Sequence, residues 1–338
     1  MFQSLRRDTL RTALIVGNGF TKSLIRHVNF HLDSSNPLRW DIASPGKSIP
    51  LMDELPNLKD FIDRNDPNLD QSDFALFDKM VDSALPVVTP ASMNPATESA
   101  VLDSGHYLAI AYSHFQLAID KLDFRSWDWQ LWLSAVGGNL SAVLSWNYDL
   151  VVELVLARCG FPYYYPGAST TCEEGNVDYS RTAIPISKPH GSCNFSSMLN
   201  WNAIGDHGHP ISLAYPRQID ATGADGPLKC LRRDQLLTVR AIADLVLPGE
   251  VNRFHRSIKW VDDAITTFAS KLIDTDHLVI VGFSMMECDQ KEFLRALGDR
   301  TNITRITVVN PDPNPKLLNE LNTHTVNSIE VLNYSPPS

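Results

Sequence analysis

"LSAVLSWNYDLVVELVLARCG", residues 140–160, joins two apolar runs through a short polar turn. The first run, LSAVLS, is short and continuously apolar, which predicts a strand that is buried on both faces. The second run has the length of a helix and stops at Gly160, a residue type that often ends helices. Asn147 and Asp149 stand between the runs, so two compact polar groups are predicted where a buried strand passes into a helix.

The same order of strand and helix recurs along the chain. Short apolar runs at 12–17, 277–283 and 303–310 are each followed by a segment with a helical pattern, and 328–334 is predicted to be a final edge strand. Alternating strands and helices of this kind predict an α/β fold with helices on both faces of a parallel sheet. We therefore expect a Rossmann-like, doubly wound parallel sheet.

The rest of the chain is interpreted as additions to that sheet. The segment 32–137 has helical patterns and no strong strand pattern, which predicts an inserted helical subdomain. The segment 193–239 is rich in Gly, Asp, Asn and His, which predicts an irregular insertion. The expected organisation is a single domain over 1–338, with the Rossmann-like core carried by three segments: 12–31, 138–192 and 240–334.

Composition and charge exclude several classes of protein. Hydrophobic residues make up 43% of the chain and charged residues 20%, as in ordinary soluble globular proteins. The formal net charge of −10 argues against a general nucleic-acid binder and against a protein that binds anionic membranes. The basic stretch LKCLRRDQ at 228–235 is interpreted as a solvated helix face. No apolar run of about 18 residues occurs, so no transmembrane helix is expected.

Cysteine usage favours a reducing compartment. The chain has five cysteines, an odd number, and they are widely scattered. A disulfide framework is not expected, and a cytoplasmic location fits this pattern. No CxxC pair occurs, so no zinc ribbon or other metal site is predicted.

The first strand is followed by GNGFT, residues 17–21, and then by a helical pattern. Glycines at such a turn let the backbone approach a phosphate, and the helix N-terminus supplies N–H groups and a positive dipole end. The six-residue glycine signature of dinucleotide-binding turns is incomplete, because Lys22 stands where its third glycine belongs. A tight turn from strand to helix with no ligand is the alternative interpretation.

Four further strand ends carry residues suited to chemistry. Asn147 donates and accepts hydrogen bonds, whereas Asp149 has an alternative role as a helix cap. His190, in KPHGS, is a candidate general base because the ordinary pKa of histidine lies near working pH, although a lone histidine is more often structural. A second glycine turn, in VGFSMMECD at 281–289, and Asn310 in VVNPD complete the set.

These five motifs, GNGF, SWNYD, KPHGS, GFSMMECD and VVNPD, resemble in this order the sirtuin (SIR2) superfamily, and above all the bacterial Sir2-like domains of antiphage defence. The resemblance covers about half of the chain, over 12–31, 138–192 and 240–312. It implies that the chain binds NAD+. The positions that it implies for NAD binding are Gly17, Asn18, Gly19, Phe20, Asp149, Gly191, Gly282, Ser284 and Asn310.

The chain also departs from the deacylases of that superfamily. Those enzymes carry four zinc cysteines after the His-Gly pair, and this chain has none there. Asn18 stands where alanine is usual, and a Lys-Pro pair precedes His190. Zinc-free members with this pattern resemble NAD glycohydrolases, so the resemblance implies NAD+ as a substrate, no metal, and Asn147 and His190 as catalytic residues.

Two other functions remain open at this point. The first is a catalytically silent scaffold or sensor that binds NAD or ADP-ribose, and the second is an NAD-dependent protein deacylase or ADP-ribosyltransferase. Unregulated NAD+ cleavage would kill a cell, so we expect a latent effector of abortive infection. The resemblance further suggests a homo-oligomer and a partner protein such as a HerA-type ATPase or an Argonaute-like protein.

Overall fold

The computed structural model describes eight stretches of the chain: 10–84, 95–168, 183–196, 228–237, 243–247, 259–298, 303–324 and 329–337. Their strands are β1 Thr12–Val16, β2 Leu140–Ser145, β3 Tyr163–Tyr164, β4 Ile184–Ser187, β5 Gly191–Ser196, β6 Lys229–Cys230, β7 Ala243–Leu245, β8 His277–Val281, β9 Arg305–Val309 and β10 Ile329–Leu332. Their α-helices are α1 Asn18–His27, α2 Pro56–Asn65, α3 Asp73–Ala84, α4 Pro95–Ile119, α5 Asp128–Val136, α6 Val151–Arg158, α7 Lys259–Leu272, α8 Gln290–Leu297 and α9 Pro315–His324.

The main sheet has seven strands in the order β10-β9-β8-β1-β2-β4-β3, and every strand pair in it is parallel. From β1 the order runs one way through β2 and β4, and from β8 it runs the other way through β9 to β10. The boundary between β1 and β8 is therefore a topological switch point, where open α/β sheets form a crevice beyond the carboxyl ends of their strands. The predicted doubly wound α/β fold is confirmed.

The predicted strands form because their residues are buried on both faces. All residues of β1, β2 and β8 are buried, as continuous apolar runs require. Helix α7 packs on β2 and β4, and the Ser187 hydroxyl donates to the carbonyl of Ala264 on that helix at 2.7 Å. The predicted end of the helix at Gly160 agrees with the structure, in which α6 ends at Arg158 and Gly160 has a φ of 78°, a left-handed conformation that glycine adopts without strain.

The two additions to the sheet differ from each other. Helices α2, α3, α4 and α5 lie in the segment 32–137, and α4 packs on α2, on α3 and on strands β5 and β7. The described part of 193–239 contains most of β5 and all of β6, which together with β7 form a three-stranded antiparallel sheet. The remainder of that segment, 197–227 and 238–239, lies outside the described residues.

The basic stretch 228–235 is not a helix face, and that interpretation was wrong. It forms β6 and a short 3-10 turn, with the Leu228 and Cys230 side chains buried. Arg232 pairs with Asp234 at 3.0 Å, and Arg233 pairs with Asp120. Both arginines are thus engaged with carboxylates.

Within the described stretches, no helix combines the length and the apolarity that crossing a membrane requires.

Candidate active site

The turns that follow β1 and β8 pack directly against each other. The N–H of Gly17 donates to the carbonyl of Val281 at 2.9 Å, and that of Gly19 donates to the carbonyl of Gly282 at 3.0 Å. A Cβ atom on Gly19 would lie 2.5 Å from the Gly282 Cα, and one on Gly282 would lie 2.3 Å from the Gly19 Cα. Glycine is therefore required at these positions by contact between two backbones.

This contact limits how the first turn can hold a phosphate. The N–H groups of Gly17, Gly19 and Phe20 already donate to backbone carbonyl groups. The Phe20 side chain is fully buried against Trp127 and Trp129, with ring centroids 4.9 and 5.5 Å away. The Phe20 side chain thus serves packing.

Asn18, the first residue of α1, connects the glycine turn to the loop after that helix. Its amide nitrogen donates to the Ser35 hydroxyl at 2.8 Å, and its amide oxygen accepts from the Ser34 hydroxyl at 2.6 Å. Ser34 is held in turn by Tyr112, whose hydroxyl donates to the Ser34 carbonyl at 2.8 Å. Neither serine was identified from the sequence, and together they bring the loop to the helix N-terminus.

Asn147, at the end of β2, links β2 to the glycine turn. Its side-chain nitrogen donates to the Gly17 carbonyl at 3.1 Å and to the Thr21 hydroxyl oxygen at 3.2 Å. A backbone carbonyl only accepts hydrogen bonds, so the NH₂ group faces Gly17 and the orientation of the amide is fixed. Its Oδ1 is consequently the atom that can accept a hydrogen bond from a bound ligand.

Asp149 accepts a hydrogen bond from the first N–H of helix α6, which is close to the capping role predicted as the alternative, although the N-cap residue is Leu150. One carboxylate oxygen accepts from the N–H of Val151 at 3.0 Å, and the other accepts from the Thr21 hydroxyl at 2.7 Å. Burial raises the pKa of the Asp149 carboxyl, while the nearby Lys188 acts in the opposite direction. Both oxygens have protein partners, so Asp149 holds the start of α6 against α1.

Lys188, which the sequence did not single out, is the centre of a buried polar network. Its ammonium group donates to the Asp149 carbonyl at 2.5 Å and pairs with the Glu153 carboxylate at 2.9 Å. The Tyr165 hydroxyl donates to the same Glu153 oxygen at 3.1 Å. The Lys188 and Glu153 side chains are 0% and 1% exposed, so this network locks the end of β4 to α6.

His190 lies in the turn between β4 and β5, where the φ of Gly191 is 80°. Its Nε2 is 3.1 Å from an oxygen of Asp289, and the two side chains are 13% and 9% exposed. The imidazole meets the edge of Trp146 at a centroid distance of 4.9 Å and stacks near Tyr148 at 6.2 Å. Asp289 closes the GFSMMECD motif and was given no role from the sequence.

A cleft of about 240 Å³ lies at the switch point and gathers most of these groups. The predicted site residues that line it are Gly17, Asn18, Asn147, Asp149, His190, Gly282 and Ser284. Gly19, Phe20, Gly191 and Asn310 are not among its lining residues. Asn310 instead shapes its own loop, with its side-chain oxygen accepting from the Asp312 N–H at 3.2 Å.

The far wall of the cleft comes from the helical segment. Asp73, Phe74 and Phe77 of α3 line it together with Leu108 of α4. Burial raises the pKa of the Asp73 carboxyl to about 7, although it accepts the Leu38 N–H at 2.7 Å. Among the described residues, the lining contains three carboxyl groups and no Lys or Arg.

Metal ligands are not assembled here. In the part of the chain that the structure covers, no group of three or more His, Cys, Asp or Glu side chains has a geometry that would hold a metal ion.

Comparison with known proteins adds the following. No family model matches the chain, and no curated protein matches it. Among solved structures, a Sir2 homologue in complex with NAD has a TM-score of 0.33 and 11% identity, covering 94% of this chain and 82% of its own. A structure described as a basis for the mechanism and regulation of Sir2 enzymes has a TM-score of 0.30 and 12% identity, covering 95% and 87%. The fold assignment accordingly rests on the strand order and pairing described above.

Proposed function

We propose that the protein is an NAD+ glycohydrolase, which cleaves NAD+ to nicotinamide and ADP-ribose. The observation that carries the proposal is the position of His190 and Asn147 in one cleft at the β1/β8 switch point. His190 is paired there with a carboxylate, and Asn147 has its amide orientation fixed. A histidine base beside an oriented amide is suited to activating a hydroxyl or a water molecule.

The charge of the cleft suits the nicotinamide end of NAD+. That end carries a positive charge, and its cleavage passes through an oxocarbenium-like transition state, as in glycoside hydrolysis generally. A lining with carboxyl groups and without Lys or Arg among its described residues favours the positive charge of the nicotinamide end. The rings of Phe74, Phe77 and Phe283 offer apolar surface for a flat heterocycle.

The reaction balances with water as the only co-reactant. The bond between the ribose anomeric carbon and the pyridinium nitrogen breaks, and its electron pair neutralises the nitrogen, so no acid is needed to expel nicotinamide. A water oxygen bonds to the anomeric carbon, and His190 accepts the released proton. The Oδ1 atom of Asn147 accepts a hydrogen bond from that water or from a ribose hydroxyl and so orients it.

The remainder of NAD+ would extend along the glycine turns. The N-terminus of α1 supplies a positive dipole end for the pyrophosphate, with Asn18 and Ser284 beside it. The roles of Gly191 and Asn310 stay part of the proposal, with Asn310 holding the adenosine ribose. Gly17, Gly19 and Gly282 would then contribute by keeping the two turns in contact.

The test is product analysis by mass spectrometry after incubation of the purified protein with NAD+, with and without an acylated peptide. We expect nicotinamide and ADP-ribose in equal amounts, independent of the peptide. Acyl-ADP-ribose and a deacylated peptide would instead identify a deacylase. An ADP-ribosylated protein would identify a transferase.

A catalytically silent NAD-binding subunit is the second candidate, and one observation favours it. The NH₂ group of Asn147 holds Gly17 and Thr21, so a protein without activity would also need this residue for its structure. Calorimetric titration with NAD+ distinguishes the two candidates. Binding with no nicotinamide release, in purified protein and in lysate of phage-infected cells, would establish the silent subunit.

The biological setting belongs to the same proposal. We propose a cytoplasmic, latent effector of antiphage defence that acts as a homo-oligomer, with a partner protein such as a HerA-type ATPase or an Argonaute-like protein. The support is the resemblance of the five motifs to bacterial Sir2-like domains. Cellular NAD+ measured during infection should fall in cells with the wild-type chain and stay level in cells with His190→Ala.

A further inference from the structure

We infer that Asp289 is a positioning residue that holds the His190 imidazole with Nδ1, and not Nε2, as the nitrogen that takes the proton. The inference rests on the proposed function, because it specifies how the same site works. It is carried by the contact between the two side chains and by the packing around the ring.

The ion-pair contact favours one position for the proton of the neutral ring. The Nε2 atom is 3.1 Å from the Asp289 carboxylate, and an ionised carboxylate only accepts hydrogen bonds. We therefore place the proton of the neutral imidazole on Nε2, the nitrogen nearest the carboxylate, and the free electron pair on Nδ1. When Nδ1 takes a proton, the resulting imidazolium lies against a carboxylate, which stabilises its positive charge.

The surrounding packing prevents the ring from turning over. Trp146 meets the imidazole edge-on at an interplanar angle of 83°, and Tyr148 lies nearly parallel to it at 28°. The Tyr148 hydroxyl donates to the Val246 carbonyl at 2.7 Å, and the Val246 N–H donates to the His190 carbonyl at 3.0 Å. Val246 directly follows β7. The His190 backbone and the tyrosine that lies against its ring are therefore both hydrogen-bonded to the residue at the end of that strand.

Asp289 is itself held firmly. It ends a 3-10 turn, Glu287–Asp289, that leads directly into α8, and its N–H donates to the Met286 carbonyl at 3.0 Å. The residue is 6% exposed and lines the cleft beside His190. Because Asp289 is buried and directly precedes α8, its carboxylate is held in place beside His190.

The informative substitution is Asp289→Asn, which keeps the size of the side chain. The asparagine NH₂ group would donate to Nε2, so the ring proton would move to Nδ1 and block the base. We expect kcat for NAD+ cleavage to fall about 10²–10⁴-fold, with KM changed less than about threefold, because the lost interaction acts in the transition state. Glu287→Gln, in the same turn with its side chain 94% exposed, is the matched control and should keep full activity.

A spectroscopic measurement tests the inference without relying on turnover. In protein labelled with ¹⁵N in its histidine rings, at about pH 8, the His190 signals are assigned by their absence in His190→Gln. We expect the Nε2-protonated tautomer in the wild type and the Nδ1-protonated tautomer in Asp289→Asn. A wild-type ring protonated on Nδ1, or unchanged kcat in Asp289→Asn, would overturn the inference. If the wild type cleaves no NAD+ in any preparation, the proposed function fails, while the tautomer still decides on the role of Asp289.

Discussion

Strand β8 has two ends that are built for different purposes. At its amino end, His277 is 5% exposed, and its Nε2 lies 2.9 Å from the Thr307 hydroxyl on the neighbouring β9. At its carboxyl end, Gly282 packs on Gly19 and borders the cleft. At the amino end, polar side chains hydrogen-bond to each other. At the carboxyl end, only backbone atoms are in contact, which leaves room for a ligand.

The difference teaches where to look for function in this fold. Polar groups at the amino ends of the strands pair within the sheet, as His277 does with Thr307. Polar groups that follow the carboxyl ends converge because parallel strands all finish at one edge. Asn147 and His190 come from different strands and meet in one cleft for this reason. The predictions below test the contrast between the two ends.

The largest stability effect is expected at the carboxyl end, for Lys188→Met. This substitution leaves the buried Glu153 carboxylate without its cation, and breaking a buried pair costs about 3–5 kcal/mol. Urea unfolding would measure the loss. The double variant Lys188→Met with Glu153→Gln removes both charges and should recover part of it. Equal stability of the single and double variants would show that the pair is not what holds β4 to α6.

A smaller loss is expected for Gly282→Ala. Its φ of 57° is strained for alanine, and the new Cβ would lie 2.3 Å from the Gly19 Cα. Strain and overpacking together should cost about 2–5 kcal/mol. Gly105→Ala, inside α4 with nothing within 4 Å of the new Cβ, is the control and should stabilise the protein by about 0.5–1 kcal/mol. If both variants unfold at the same urea concentration, the turns do not need their close contact.

At the amino end, His277 should make stability depend on pH. Burial, and secondarily the Arg305 charge, lower its pKa to about 4. Between about pH 4 and 6.5 the unfolded chain binds more protons, so stability is lost as the pH falls through this window. The free energy of unfolding falls by about 2–3 kcal/mol across this window, and above about pH 6.5 none of it is lost. Urea unfolding of His277→Gln at several pH values should show a correspondingly shallower dependence than the wild type, and identical curves would contradict this reading.

At the cleft, Asp73 should make stability depend on pH in the opposite direction. Its raised pKa of about 7 means that the folded chain binds more protons than the unfolded chain above about pH 4. Stability is therefore lost as the pH rises through about 4–7. Asp73→Asn should match the wild type at about pH 4 and exceed its free energy of unfolding by about 1–3 kcal/mol at about pH 8. A variant that is weaker at pH 8 would show that the charged form of Asp73 is favourable in the fold.

Much of the sheet could be predicted from the sequence, because strands buried on both faces read as continuous apolar runs. Strands β1, β2, β8 and β9 were predicted in this way, and β10, whose residues are not buried, was predicted as an edge strand. Of the strands that were not predicted, β3, β6 and β7 have only two or three residues, which is too short for a pattern. The fourth, β5, has six residues but lies mostly in the segment that was interpreted as an irregular insertion.

The site was predicted only in part. Asn147 and His190 were found because they follow apolar strands. The partnership of His190 with Asp289 could not be read from the sequence, because β1 and β2 separate β4 from β8 in the sheet. Lys188 was missed for another reason, since lysine is almost never fully buried unless it is paired. The glycine turns gave a signal that resembles phosphate binding, although the structure uses these glycines for backbone contact.

The most direct test compares His190, which lies in the cleft, with His277, which lies at the amino end of β8. Nicotinamide release from NAD+ is measured for wild type, His190→Ala and His277→Gln at about pH 7.5, in purified protein and in lysate of infected cells. We expect His190→Ala to lose about 10²–10⁴-fold in rate, while His277→Gln stays within about twofold of wild type. Equal rates for His190→Ala and the wild type would contradict the assignment of the cleft as the active site.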